Sequence, residues 1–304
     1  MFIERNPTPP APTFRQSSVF LTKAGLVPIS YDPYRQVASC SVPHALHTHS
    51  RTVGLVSLLA AQPQLQTLLT IKNLDSAKWP IVSIVKGMNF ALIDLTAAPG
   101  ALAALRVGQA PEMELDPEDG WNEGVTGALY YERRGLVDDR PGEPVIHNLR
   151  ARMISRGTED AGTGSACAAL GCWLALASPS PASTAAGKAD AAGEEEQPAR
   201  DTTEKPRAGD QSKGDDGEAM AIRTKKPEGE KGRGAEQPQQ QQTAGGVVEQ
   251  HIFAIEQGIE MGRKCTIAVE VDLKRNARGQ RVVDSVVLSG RAYFTMQGYI
   301  FAVY

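Results

Sequence analysis

This sequence has little that points toward a membrane or a nucleic acid. No apolar run approaches membrane-spanning length, and the opening MFIERNPTPPAP lacks the apolar stretch of a secretory signal. Basic residues are not in excess. Lys and Arg number 32 against 35 Asp and Glu, a formal net charge of −3, which argues against the clustered basic face that nucleic acid requires. An anionic small molecule is not excluded, because one helix end can hold it without help from net charge. Cysteine is also scarce. Cys40, Cys167, Cys172 and Cys265 form no CxxC pair, so neither a zinc framework nor a disulfide scaffold is expected. These absences together lead us to expect a soluble cytoplasmic protein with no nucleic-acid or membrane partner.

The 304 residues suffice for two modest domains or for one domain with a large insertion. Residues 1–13 are proline-rich and polar, and read as a disordered lead-in. SSVFLT, LVPISYD and QVASCSVPHALHTH then alternate as short strands. VGLVSLLAAQPQLQTLL has helical spacing split at Pro63, and PIVSIVKGMNFALIDL reads as two buried strands hinged at Gly87. GALAALRVG predicts a short helix, Gly127 to Glu132 a strand, and VIHNLRARMIS another strand. Residues 178–247 hold Ser, Pro, Ala, Gly, Glu, Lys and Gln with almost nothing apolar. Such a stretch cannot bury enough surface to offset its chain entropy, and we expect a disordered insertion. Beyond it, VVEQHIFAIEQGIEMGRKCTIAVEVDL reads as a helix and then a strand, and the last residues as closing strands with turns at Gly290 and Gly298. Short strands with few long helices indicate an α+β protein rich in antiparallel sheet.

The chemistry concentrates in EDAGTGSACAALGCWLA, residues 159–175. Gly162 and Gly164 permit a sharp turn with close backbone approach, and a helix beginning near Ser165 leaves its first N–H groups unpaired and positively polarised. That is a seat for a carboxylate or an enolate-like oxyanion. Asp160 stands beside it, and a carboxyl kept from water can act as acid or base. The plain alternative is a capped helix, with Ser165 as N-cap and Asp160 solvated. His44, His47 and His49 raise a metal site, but on a strand residues 47 and 49 share one face and fit a polar, partly buried strand; no metal is expected.

The same stretch resembles the signature of the PhzF-like isomerase family, relatives of phenazine biosynthesis proteins, in which Asp-Pro-Ala-Thr-Gly-Ser leads into a helix. EQGIEMGR, 256–263, is similar to the family's Gln-Gly-x-Glu-Met-Gly-Arg segment, VVLSGRAYFTMQGYI to its closing strands, and KAGLVPISYD to a strand of its fungal members. The resemblance implies the diaminopimelate-epimerase-like fold, two similar domains each with a sheet wrapped around a central helix. It also implies proton transfer on a small carboxylic acid with no cofactor. By position, Asp160 and Ser165 match the active-site acid and hydroxyl. Gly162, Thr163 and Gly164 match the anion-holding loop, and Gly262 and Arg263 the second signature. Lys264-Cys265 replaces the usual Pro-Ser. The first-domain Ser-Glu-Thr and Gly-His-Pro-Thr motifs have no counterpart here. On this basis the expected organisation is an incomplete first domain at 14–65, a second domain at 66–177 and 248–285, and closing strands at 286–304. A surface left by the incomplete half favours a homodimer. Two alternatives stay open: a truncated, non-catalytic relative that binds a small carboxylate, and an interaction protein acting through its insert.

Overall fold

Alternation of burial along the strands sets the architecture. In β10 (Glu249–Gln257) every second residue, from Glu249 through His251, Phe253 and Ile255 to Gln257, is buried. A period of two belongs to a strand, so the helix expected over this segment is corrected by the structure. The computed structural model describes residues 16–69, 77–138, 143–178 and 249–292, which belong to one unit. The lead-in, the insertion beyond Ser178 and the last strands beyond Ala292 lie outside the described residues.

The remaining strands are β1 (Gln16–Thr22), β2 (Gly25–Asp32), β3 (Val37–Ser41), β4 (His47–Gly54), β5 (Lys78–Val85), β6 (Gly87–Asp94), β7 (Gly124–Asp138), β8 (Val145–Ser155), β9 (Thr158–Asp160), β11 (Cys265–Arg275) and β12 (Arg281–Arg291). They form one sheet in the order β1-β2-β3-β12-β11-β10-β8-β7-β6-β5-β4, with β9 added beside β8. β6 with β7 and β8 with β10 are parallel; the other pairs are antiparallel. Gly290 lies inside β12, opposite Ala38 and Ile267, so the turn expected there is a strand instead. The hinge at Gly87 is present, with a positive φ of 86° that glycine tolerates.

The sheet curls around α3 (Gly164–Ala177). The five residues between β3 and β4 run across its open side: the Val42 N–H donates to Val286 in β12, and the Ala45 N–H to Ile84 in β5. α3 is buried on nearly all sides, from Ala166 through Cys172 to Ala175, as a helix with no polar face must be. Its small residues admit the strands closely. A side chain at Gly171 would stand 2.9 Å from Val269 and 3.2 Å from Phe253. Leu170, Phe253 and Val269, each fully buried here, contribute about 1.5–3 kcal/mol apiece.

A second cluster lies on the far face of β5–β7, where α1 (Leu55–Ala61), a 3-10 turn at Pro63–Thr67 and α2 (Ala101–Ala104) cover Trp79, Ile81, Ile93 and Tyr130. Pro63 splits the two helical segments as the spacing predicts. The α+β class stands. The described residues build one sheet wrapped around one helix, the arrangement expected of a single diaminopimelate-epimerase-like domain. β1–β3 and β4 extend that same sheet at its two ends. No described helix is long and apolar enough to cross a membrane.

Candidate functional site

The hairpin β8–β9 carries the chain to the start of α3. Beneath it Arg152 forms a two-point ion pair with Glu159, 2.8 and 2.7 Å, and also donates to the carbonyls of Leu102 and Leu105. Both side chains are about 5% exposed or less, and Glu260 stands 3.9 Å from Arg152 as a second, longer partner, so the buried charges compensate one another. Asp160 follows directly. Its carboxylate is exposed, and it accepts from the Gly162 N–H at 3.2 Å and the Thr163 hydroxyl at 2.6 Å. The shielded carboxyl expected at this position is therefore corrected: the acid faces water and bonds its own loop.

The helix start differs too. Thr163, not Ser165, precedes the first helical residue, and no side chain caps the helix. The Thr163 hydroxyl is taken by Asp160, which leaves the first amides of α3 without a side-chain acceptor. Ser165 is the second helical residue and half-buried. Gly162 and Gly164 owe their identity to close approach: a side chain would stand 3.1 Å from the Cys265 Sγ at Gly162 and 3.0 Å from Leu288 at Gly164.

The two matched segments come together in space. Buried Gln257 donates to the Asp160 carbonyl at 2.9 Å, and its amide oxygen accepts the Thr163 N–H at 3.1 Å. Gly258 then turns with φ of 74°, where a side chain would meet the Arg263 carbonyl at 2.5 Å and Ala161 at 3.0 Å. The turn closes by the Gly262 N–H to Ile259 and the Arg263 N–H to Gly258. Gly262 and Arg263 themselves lie exposed on its outer side. Glu260 reaches back to Arg150 at 2.7 Å. Gln257 and Gly258 therefore organise the loop, whereas sequence matching had singled out Gly262 and Arg263.

A groove of about 510 Å³ opens beside the start of α3, lined by Gly162, Gly164, Cys265, Cys40, Ser39 and Tyr31 among others. Asp160, Thr163, Ser165, Gly262 and Arg263 are not part of its lining. Spacing gave no sign of Cys40 and Cys265, because β3 and β11 meet only through β12. Burial pushes both thiols up, and Asp160 adds to the effect at Cys265, so both are protonated at neutral pH. All four cysteines are free. Among the described residues one group of side chains has metal-ligand character, His47, His49 and Asp116, and none of the three lines this groove.

No family model matches the chain, and no curated protein does. Six chains of solved structures match it. One is the Bacillus anthracis phenazine biosynthesis protein, PhzF family. It is 13% identical with a TM-score of 0.43, over 90% of this chain and 64% of that one. The chain thus spans less than two thirds of that protein's length.

Proposed function

We propose that this chain is a PhzF-like isomerase relative that seats the carboxylate of a small acid in the groove at the start of α3. The observation that carries the reading is the pairing of uncapped α3 amides with glycines at 162 and 164 on the groove wall. Those amides and the helix dipole favour an anion by roughly 0.3–2 kcal/mol. Proton transfer in that groove is assigned to Asp160, which would have to leave the Thr163 hydroxyl to reach a bound acid. Incubation with a panel of small carboxylic acids in deuterated water is expected to label one of them at carbon, and Asp160→Asn to abolish the labelling. Absence of label in every acid removes the catalytic part.

A second reading, binding without turnover, is favoured by the lining itself. It contains thiols, hydroxyls and Tyr31 but no carboxylate and no imidazole. Under this reading a small carboxylate raises the melting temperature, Gly164→Ala, which places a side chain on the groove wall at the start of α3, weakens that response, and no deuterium enters. If no acid shifts the melting temperature, both readings fall.

A further inference from the structure

The strongest unassigned chemistry lies on β4. His47 and His49 point to one face of the strand, and the segment before the Glu118–Gly120 turn brings Asp116 against them. The His47 Nε2 stands 2.9 Å from the Asp116 Oδ2, the His49 Nδ1 3.9 Å from the same oxygen, and all three donor atoms fall within 4.8 Å of one another. We propose that His47, His49 and Asp116 form a binding site for a divalent first-row transition ion of the zinc class.

Three features carry this beyond mere proximity. The donor set, two imidazole nitrogens and one carboxylate oxygen, suits zinc and its neighbours, and three protein donors leave a fourth position for water. A tetrahedral zinc with bonds of about 2.0–2.1 Å sets its donor atoms about 3.3 Å apart, so these side chains reach that geometry by shifts of about 1 Å. Each donor is also held from behind, as ligands of a metal are. The His49 side chain is fully buried, and its Nε2 lies 2.8 Å from the Ser83 hydroxyl, which donates to Asn89 at 2.5 Å; Asn89 in turn donates to the Glu123 and Val125 carbonyls. That chain directs the Nδ1 of His49 toward Asp116. Asp116 receives the Ser50 hydroxyl at 2.6 Å and the Ser50 N–H at 3.1 Å, and His47 stacks on Trp121 with ring centres 4.4 Å apart.

The same lone pair has a competing use. The His49 Nδ1 accepts the Asp116 N–H at 3.0 Å, and the His47 Nε2 bonds the Asp116 carboxylate, so the three side chains also close a latch between β4 and the 116 segment. An ion must take both places, and its binding therefore moves the segment that carries Asp116.

The test titrates Co²⁺ into the chelator-treated full chain and follows the visible bands of tetrahedral cobalt together with quenching of Trp121. One ion per chain is expected, displaced by Zn²⁺. Binding should be lost in His47→Ala, a partly exposed position, and weakened about tenfold in Ser83→Ala, which removes support and not a ligand. Asp116→Asn, which retains an oxygen able to accept from Ser50, provides a second variant should His47→Ala fail to fold. His147→Gln, at the separate His147–His251 pair, should bind as the parent does. Absence of cobalt bands in the parent chain, or unchanged binding in both His47→Ala and Asp116→Asn, overturns the site and leaves the latch alone.

Discussion

Asp160 and Asp116 are held by nearly the same bonds. Each carboxylate accepts one backbone N–H and one hydroxyl at 2.6 Å. The amide and hydroxyl at Asp160 come from two and three residues along its own loop. Those at Asp116 come from Ser50, 66 residues away, and His47 adds a further bond at 2.9 Å. Asp160 is exposed, while Asp116 is 13% exposed and the Ser50 hydroxyl holds its carboxyl below the ordinary range. A carboxylate bonded within its own turn shapes that turn. One bonded across the fold ties two distant segments together and presents its remaining oxygen to whatever they enclose.

That contrast can be broken by mutation. The largest effect is expected at neither acid but at the ion pair under the Asp160 loop. Glu159→Gln leaves Arg152 charged and buried, and about 3–5 kcal/mol of unfolding free energy should be lost in urea titration. A loss below about 1 kcal/mol would show that the β8–β9 hairpin does not depend on this pair. Next, Gly258→Ala forces a side chain into left-handed backbone against the Arg263 carbonyl, and a loss of about 1–3 kcal/mol is expected. Gln257→Leu should fall in the same range, since it leaves the Asp160 carbonyl and the Thr163 amide without their partner. Asp116→Ala is expected to cost about 1.5–3 kcal/mol, for charged bonds made across the fold. The smallest change is Asp160→Ala, within about 1 kcal/mol, because its bonds are local and solvated. Equal losses at the two acids would erase the distinction between them.

Much of the chain's layout was legible beforehand. Strands β1 to β6, β8, the break at Pro63 and the hinge at Gly87 follow from local alternation and from backbone preferences of single residues. The segment at 249–257 is ambiguous by pattern, because Ile252, Ile255 and Ile259 also fit a helical period. The buried face that decides the matter includes Glu249, His251 and Gln257, polar residues whose partners lie elsewhere. At the candidate site, the acid and the glycine turn before α3 were visible in residues 160–164. The exposure of Asp160 was not, since it depends on where Thr163 sends its hydroxyl. Two histidines on one strand face were visible at 47 and 49, but nothing in spacing brings Asp116 or Ser83 to them.

The early strands β1 to β6, the break at Pro63, the apolar character of α3 and the glycines at its start were determined by the sequence alone, because each follows from residues within a few positions of one another. Which acid is shielded, which thiols share a groove and which carboxylate meets the paired histidines were decided only in the folded chain. Those outcomes need partners from strands far apart in sequence, and a curled sheet brings them together only when its core has closed around one helix.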